Sequence, residues 1–247
     1  MSGLAGQHGV ITGGGTGIGA AIARALAGEG AKVSLFGRRV EPLKAIAEEL
    51  GTAAFFTTCD VTDPQRVAGA MQAARDRHGH VGILINNAGV AASAPFARIT
   101  DEAWRSAMAV NLDGVFHCCR AVIEPMLAKQ NGRIVTVAST AGLHGFAYTA
   151  PYVAAKHGAV GLMRALAAEY AGKGITANAV CPGFTDTEIV AEAVRNIVAK
   201  TGRAADEVRA ELAQMNPSGR LITPQEVADL VLELVLSTRT GEAAELS

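Results

Sequence analysis

The aliphatic positions of this chain fall into short blocks. Val10–Thr12, Val33–Phe36, Ala54–Thr58, Ile83–Asn86, Ile134–Ser139 and Thr176–Cys181 are runs of β-branched or aliphatic residues, each flanked by a longer helix-like stretch. Alternation of strand with helix predicts right-handed crossovers and a parallel sheet covered on both faces. The expected fold class is α/β: a single Rossmann-type doubly wound parallel sheet with helices on both faces. The best-defined helix comes late, where Val227, Leu230, Val231, Leu234 and Val235 repeat on one face and Pro224 follows Thr223 into the first turn. That stripe faces a core. No repeat, low-complexity tract or Pro/Ser-rich linker divides the chain, so residues 1–247 read as one domain. In such a sheet, ligands collect beyond the carboxyl ends of the strands, where strand order reverses.

Composition narrows the function. Hydrophobic residues make up 49% against 18% charged, and 22 basic against 23 acidic residues leave a net charge of −1. Disorder, a coiled coil and a nucleic-acid binder are disfavoured, and a small-molecule partner is expected. No apolar segment reaches the ~18 residues of a membrane span and no basic-headed leader is visible, so the expected setting is cytoplasmic, with no membrane partner. Cys59, Cys118, Cys119 and Cys181 lack paired spacing and read as reduced, buried thiols. The run His117-Cys118-Cys119 cannot converge on one ion, because adjacent helical residues diverge; His78 and His80 read as solvated, and no metal is expected.

The first strand runs into Thr12-Gly13-Gly14-Gly15-Thr16-Gly17-Ile18-Gly19, and a helical pattern (Ile18, Ile22, Ala25, Leu26) begins at once. Strand, glycine turn and helix stand in the order a phosphate cradle needs: glycines let the main chain approach a pyrophosphate, and the helix N-terminus attracts it. The spacing is Thr-Gly-x-x-x-Gly-x-Gly. With Asn86-Asn87-Ala88-Gly89, Asn111, Ser139, Tyr152-x-x-x-Lys156 and Pro182-Gly183, it resembles the short-chain dehydrogenase/reductase family, the 3-oxoacyl reductases and related ketoreductases in particular. The resemblance extends from Gly9 to about Leu236.

That resemblance implies a nicotinamide dinucleotide. Gly13, Thr16, Gly17, Ile18 and Gly19 are placed at its phosphates, Asp60 and Val61 at the adenine, and Asn87, Ala88 and Gly89 beside the ribose. Pro182, Gly183, Thr185 and Thr187 are placed at the carboxamide and phosphates. Asp60 also suits a helix start, for which Asp63 is the better cap. After the second strand the chain reads Phe36-Gly37-Arg38-Arg39, with no carboxylate for a ribose hydroxyl; Arg38, with Arg39 beside it, suits a 2′-phosphate. NADP(H) is favoured, with NAD(H) and a small-alcohol dehydrogenase as the alternative.

Tyr152 and Lys156 lie four apart after Pro151, on one helical face. A phenol is a weak base at neutral pH, and a neighbouring ammonium favours the phenolate, so Tyr152 is the expected acid/base and Lys156 its modulator. By resemblance Lys156 also holds the nicotinamide ribose. Ser139, at the carboxyl edge of its strand, is expected to hydrogen-bond the substrate oxygen. Asn111 interrupts the apolar pattern between Trp104 and Phe116; by resemblance it distorts its helix to hold a water linked to Lys156. The expected reaction is hydride transfer between the nicotinamide and a ketone or secondary alcohol. The rival reading is a noncatalytic nucleotide-binding subunit.

Near the expected substrate pocket, Ala141 to Tyr148 mix small and apolar groups, and Ser139, His144 and Tyr152 are the expected substrate contacts. Residues 187–221 are expected to form a substrate lid. Its cations Arg195, Lys200, Arg203 and Arg209 suit a phosphorylated acyl thioester carrier, although Glu188, Glu192, Asp206, Glu207 and Glu211 offset them. Members of the family finish with a further strand, and Gly241-Glu-Ala-Ala-Glu-Leu-Ser247 lacks its signature. The last edge strand is therefore expected to be missing, and a homo-oligomer, dimer or tetramer, is expected.

Overall fold

The computed structural model describes residues 3–247. The strands are β1 (His8–Thr12), β2 (Lys32–Gly37), β3 (Ala54–Thr58), β4 (Ile83–Asn86), β5 (Gly132–Val137), β6 (Ile175–Pro182) and β7 (Ala243–Leu246). All pair in parallel, in the order β3-β2-β1-β4-β5-β6-β7. Strand order reverses between β1 and β4, which opens the crevice where an α/β sheet binds its ligand. The fold class expected from the sequence is the one observed, with one correction. The last edge strand is present: Ala243–Leu246 pairs with Ala179–Pro182 of β6. Its sequence, Ala-Ala-Glu-Leu, has no β-branched residue, so the strand is imposed by its neighbour rather than by propensity.

Two helical layers cover the sheet. On one face pack α1 (Gly17–Gly28), α2 (Val40–Leu50) and α9 (Pro224–Leu236); on the other, α3 (Pro64–His78), α5 (Gly114–Lys129) and α6 (Ala150–Tyr170). Strand residues alternate between them: Val10 and Leu84 join the second layer, Ile11, Ile83 and Ile85 the first. The predicted stripe of α9 is in the first core, with Val227, Val231, Leu234 and Val235 buried, and Thr223 and Glu226 form a reciprocal capping box at its start. No helix among the described residues is long and apolar enough to cross a membrane.

Asp63 caps α3, accepting from the backbone N–H groups of Gln65 (2.8 Å) and Arg66 (3.2 Å). Asp63→Ala is therefore expected to cost about 1 kcal/mol of stability with activity intact, checked by urea unfolding.

Candidate active site

The glycine turn is shaped by what it excludes. Gly13 and Gly17 have φ of 65° and 51°, left-handed values that suit glycine. A Cβ on Gly13 would stand 2.9 Å from Asn87 Nδ2, and one on Gly19 would fall on the Gly13 carbonyl oxygen. From below, the Asn87 amide donates to the carbonyls of Thr12 (3.0 Å) and Gly13 (3.2 Å). The buried Thr12 hydroxyl accepts from the N–H groups of Asn87 (2.9 Å) and Ala88 (3.0 Å). Helix α1 opens at Gly17 with no acidic residue in its first turn and no side-chain cap from Thr16. Its first N–H groups thus face a closely approachable surface, the arrangement that accepts a pyrophosphate. Ile18 packs partly into the core below.

The neighbouring loops follow the same strand ends. Arg38 and Arg39 leave β2 exposed. Asp60 accepts from the Thr62 N–H and hydroxyl; these bonds, and more weakly Arg38, hold its carboxyl below its ordinary value. Val61 is buried against Gly114. A dinucleotide carrying a 2′-phosphate is consistent with a cradle that a single Cβ would fill and with two exposed guanidiniums at its far end.

Ser139, Tyr152, Lys156 and Asn111 come together beyond β4, β5 and β6. Ser139 lies two residues past the end of β5, in extended backbone at the start of a tight turn where its hydroxyl accepts from the Ala141 N–H (3.1 Å). Tyr152 and Lys156 project from the first turns of α6, with Lys156 Nζ 5.6 Å from the centre of the Tyr152 ring. Lys156 is 4% exposed and donates to the Val137 carbonyl at 2.9 Å. Asn111 is fully buried in a π-helical turn, Ala109–Asp113. Its amide donates to the carbonyls of Val90 and Ala107, both at 2.9 Å, and accepts from the Val90 N–H at 3.2 Å. Such π turns recur at functional sites. A Cβ on Gly89 would lie 3.1 Å from Asn111 Oδ1 and 3.7 Å from Lys156 Nζ, so the main chain at Gly89 runs between the two.

The electrostatics differ from the sequence expectation. Burial raises the Tyr152 phenol above its usual value, the Ser139 hydroxyl pulls it back, and Cys181 raises it further. Lys156 is itself lowered to about 8 by burial, against a smaller opposing effect of Cys181. In the protein alone the phenol is a protonated acid, not an incipient base.

Ala141 and Gly142 are buried in the turn after Ser139, and His144 is exposed with Nε2 3.9 Å from Glu245 Oε2. A pocket beside Tyr152, about 140 Å³, is walled by Val90, Ala94, Ile99 and Ala107, from the loop after β4 and from α4 (Asp101–Met108). Helices α7 (Glu188–Thr201) and α8 (Ala205–Gln214) make an arm with its own small core of Val190, Val194, Val208 and Leu212. Three of its four cations are paired: Arg195 with Glu188 (2.6 Å), Arg209 with Asp186 (2.7 Å), and Arg203 with Glu207 (3.0 Å) and Glu211 (2.6 Å). No cluster of three potential metal ligands occurs among the described residues, and all four cysteines are free and buried.

Two residues to which the sequence assigns no role, Thr12 being only the first letter of its motif, brace the segments around this site. Thr12 is one. Asn216, 3% exposed beyond α8, is the other: it accepts from the Phe184 N–H (2.8 Å) and donates to the carbonyls of Phe184 (2.9 Å) and Arg220 (2.7 Å). It secures the segment Gly183–Thr187, in which Thr185 donates to the Gly183 carbonyl (3.1 Å) and Thr187 to the Thr185 carbonyl (3.2 Å).

Residues 7–197 match the family model described as short chain dehydrogenase. The chain is 41% identical, over 96% of its length and 89% of the relative's, to a protein named as ketoacyl reductase 1 of the granaticin polyketide synthase in Streptomyces violaceoruber. It is 37% identical, over 92% of its length and 88% of the relative's, to the 3-oxoacyl-acyl-carrier-protein reductase FabG of Escherichia coli. Among solved structures, a variant of actinorhodin polyketide ketoreductase with NADPH superposes with a TM-score of 0.93 at 36% identity, covering 97% of this chain and 95% of the other.

Proposed function

Because this chain belongs to the short-chain dehydrogenase family, we propose that it is an NADP(H)-dependent ketoreductase whose natural substrate is a 3-oxoacyl thioester. The reading rests above all on one observation: a partly buried phenol, with the Ser139 hydroxyl beside it and buried Lys156 beneath its ring, at the strand ends next to the glycine cradle. Its relatives named as ketoacyl reductases support the substrate class. The cytoplasmic setting and the homo-oligomer expected from the sequence belong to the same proposal.

Bound NADPH supplies the hydride. Ser139 and Tyr152 hold the ketone oxygen between two hydroxyls, which fixes the carbonyl and stabilises negative charge growing on that oxygen. Tyr152 gives its proton to the forming alkoxide, a far stronger base than phenolate, so a phenol kept protonated by burial suits reduction. Lys156, held by the Val137 carbonyl, places a cation under the phenol as it becomes phenolate. Asn111 fixes the loop at Val90 that borders the same pocket.

Loss of NADPH absorbance on mixing with acetoacetyl-CoA tests the reading; turnover of a simple ketone with none of the thioester overturns the substrate class. Arg38 decides the dinucleotide. Arg38→Asp removes a charge-assisted contact of roughly 1.5–3 kcal/mol and adds repulsion, so kcat/KM for NADPH is expected to fall roughly 10–100-fold while NADH use rises. Unchanged preference in steady-state kinetics with both dinucleotides would move the 2′-phosphate away from Arg38.

A further inference from the structure

We infer that Asn216 is a positioning residue for dinucleotide binding, the link through which the α7–α8 arm holds the cofactor-facing segment Gly183–Thr187 in place. The inference rests on the reading of that segment as part of the dinucleotide site. One amide takes both backbone groups of Phe184, accepting from its N–H at 2.8 Å and donating to its carbonyl at 2.9 Å, as a neighbouring strand would. Its second amide hydrogen reaches the Arg220 carbonyl at 2.7 Å, so the same side chain closes the turn that leaves α8. The segment is bound on its other side by main chain: the Ile222 N–H donates to the Phe184 carbonyl (2.9 Å) and the Asp186 N–H to the Ile222 carbonyl (2.8 Å).

At its far end the segment meets the glycine turn. The Thr187 methyl lies 3.3 Å from where a Cβ on Gly17 would stand, so the position of Thr187 sets how closely the segment closes on the cradle. Phe184 joins the arm's core and meets Phe146 edge-on, ring centres 6.2 Å apart, on the side of the loop after Ser139. Gly183 makes the clamp possible, since a Cβ there would fall on Asn216 Oδ1. Two segments distant in sequence, 183–187 and 216–220, are thus tied by one buried amide whose bonds all go to main chain. A buried amide in that position is costly to lose, because the Phe184 N–H loses its acceptor and its carbonyl keeps only the Ile222 N–H.

The test is NADPH fluorescence titration and steady-state kinetics on Asn216→Ala and Asn216→Asp, with thermal melts to show that each variant is folded. Asn216→Ala is expected to raise the Kd and KM for NADPH at least tenfold, with kcat at saturating NADPH within about threefold of wild type. Asn216→Asp keeps an acceptor for the Phe184 N–H and loses the two donated bonds, so it is expected to raise the Kd and KM for NADPH by less, with the same level kcat. Variants that lose thermal stability but bind NADPH as wild type does would make the clamp merely structural and overturn the inference. If Asn216→Ala does not fold, Asn216→Asp alone decides by the same split of Kd from kcat. Wild-type protein that binds no NADPH would sink the functional reading itself, and the inference with it.

Discussion

Tyr152→Phe is expected to bind NADPH as wild type does and to reduce its ketone roughly a thousandfold more slowly. A positioned general acid contributes about 10²–10⁴-fold, and this variant removes the donor while leaving the ring. The retained ring keeps its place above Lys156, 5.6 Å from Nζ, and its wall of the pocket beside Val90 and Ala107, so binding and fold are not at stake. Nor can the protein replace the proton easily. Ser139 accepts from the Ala141 N–H at 3.1 Å and keeps its own proton, but an aliphatic hydroxyl is a far weaker acid than a phenol, and Lys156 donates away from the pocket to the Val137 carbonyl at 2.9 Å. Because burial keeps the phenol above its ordinary value, wild-type reduction draws on a protonated acid across the neutral range, and the variant has none at any pH. The loss should therefore lie in kcat, measured in single turnover with NADPH pre-bound. Activity within tenfold of wild type would reject Tyr152 as the acid.

Much of this was legible in the sequence because the relevant signals are local. Strand, glycine turn and helix are contiguous, so the cradle at Gly13–Gly19 and the crevice between β1 and β4 follow from order and spacing. The i, i+4 spacing of Tyr152 and Lys156 likewise fixes a common helix face. What the sequence did not show depends on contacts between distant segments. The strand Ala243–Leu246 has no strand propensity of its own and exists because β6 offers an open edge. Asn216 sits in Met215-Asn216-Pro217-Ser218-Gly219, which reads as a turn; only the fold brings its amide to Phe184, 32 residues earlier. The pocket wall from α4 was missed for the same reason, since Ala103 and Ala107 carry no chemistry until Tyr152 stands opposite. The direction of the Tyr152 shift could not be read either, because spacing shows proximity to an ammonium but not the burial that outweighs it.

Lys156→Met is expected to be the opposite of a compromise: nearly inactive, yet more stable at neutral pH than the wild type. Burial lowers the Lys156 ammonium from 10.5 to about 8, so the folded protein resists the charge that the unfolded chain carries freely. At about 1.4 kcal/mol per pH unit, holding that charge costs the fold roughly 3 kcal/mol below pH 8. Between pH 8 and 10.5 the unfolded state keeps the proton and the folded state gives it up, so stability rises with pH across that window. Methionine fills similar volume without the charge, and the gain is offset in part by the orphaned Val137 carbonyl, about 1–3 kcal/mol. A net gain on the order of 1 kcal/mol at pH 7, shrinking as pH rises through 8 and turning into a net loss on the order of 1 kcal/mol by pH 10, is the expected pattern in denaturant melts. Activity runs the other way. The wild-type kcat/KM for NADPH should be level below pH 7.5 and fall toward tenfold per unit above about 8, as the cation beneath Tyr152 is lost; Lys156→Met should be low and level throughout, at least a hundredfold below wild type at pH 7. A wild-type profile that stays level past pH 9, together with a stability difference between Lys156→Met and wild type that is the same at pH 7 and pH 10, would mean that the buried ammonium neither strains the fold nor serves the reaction.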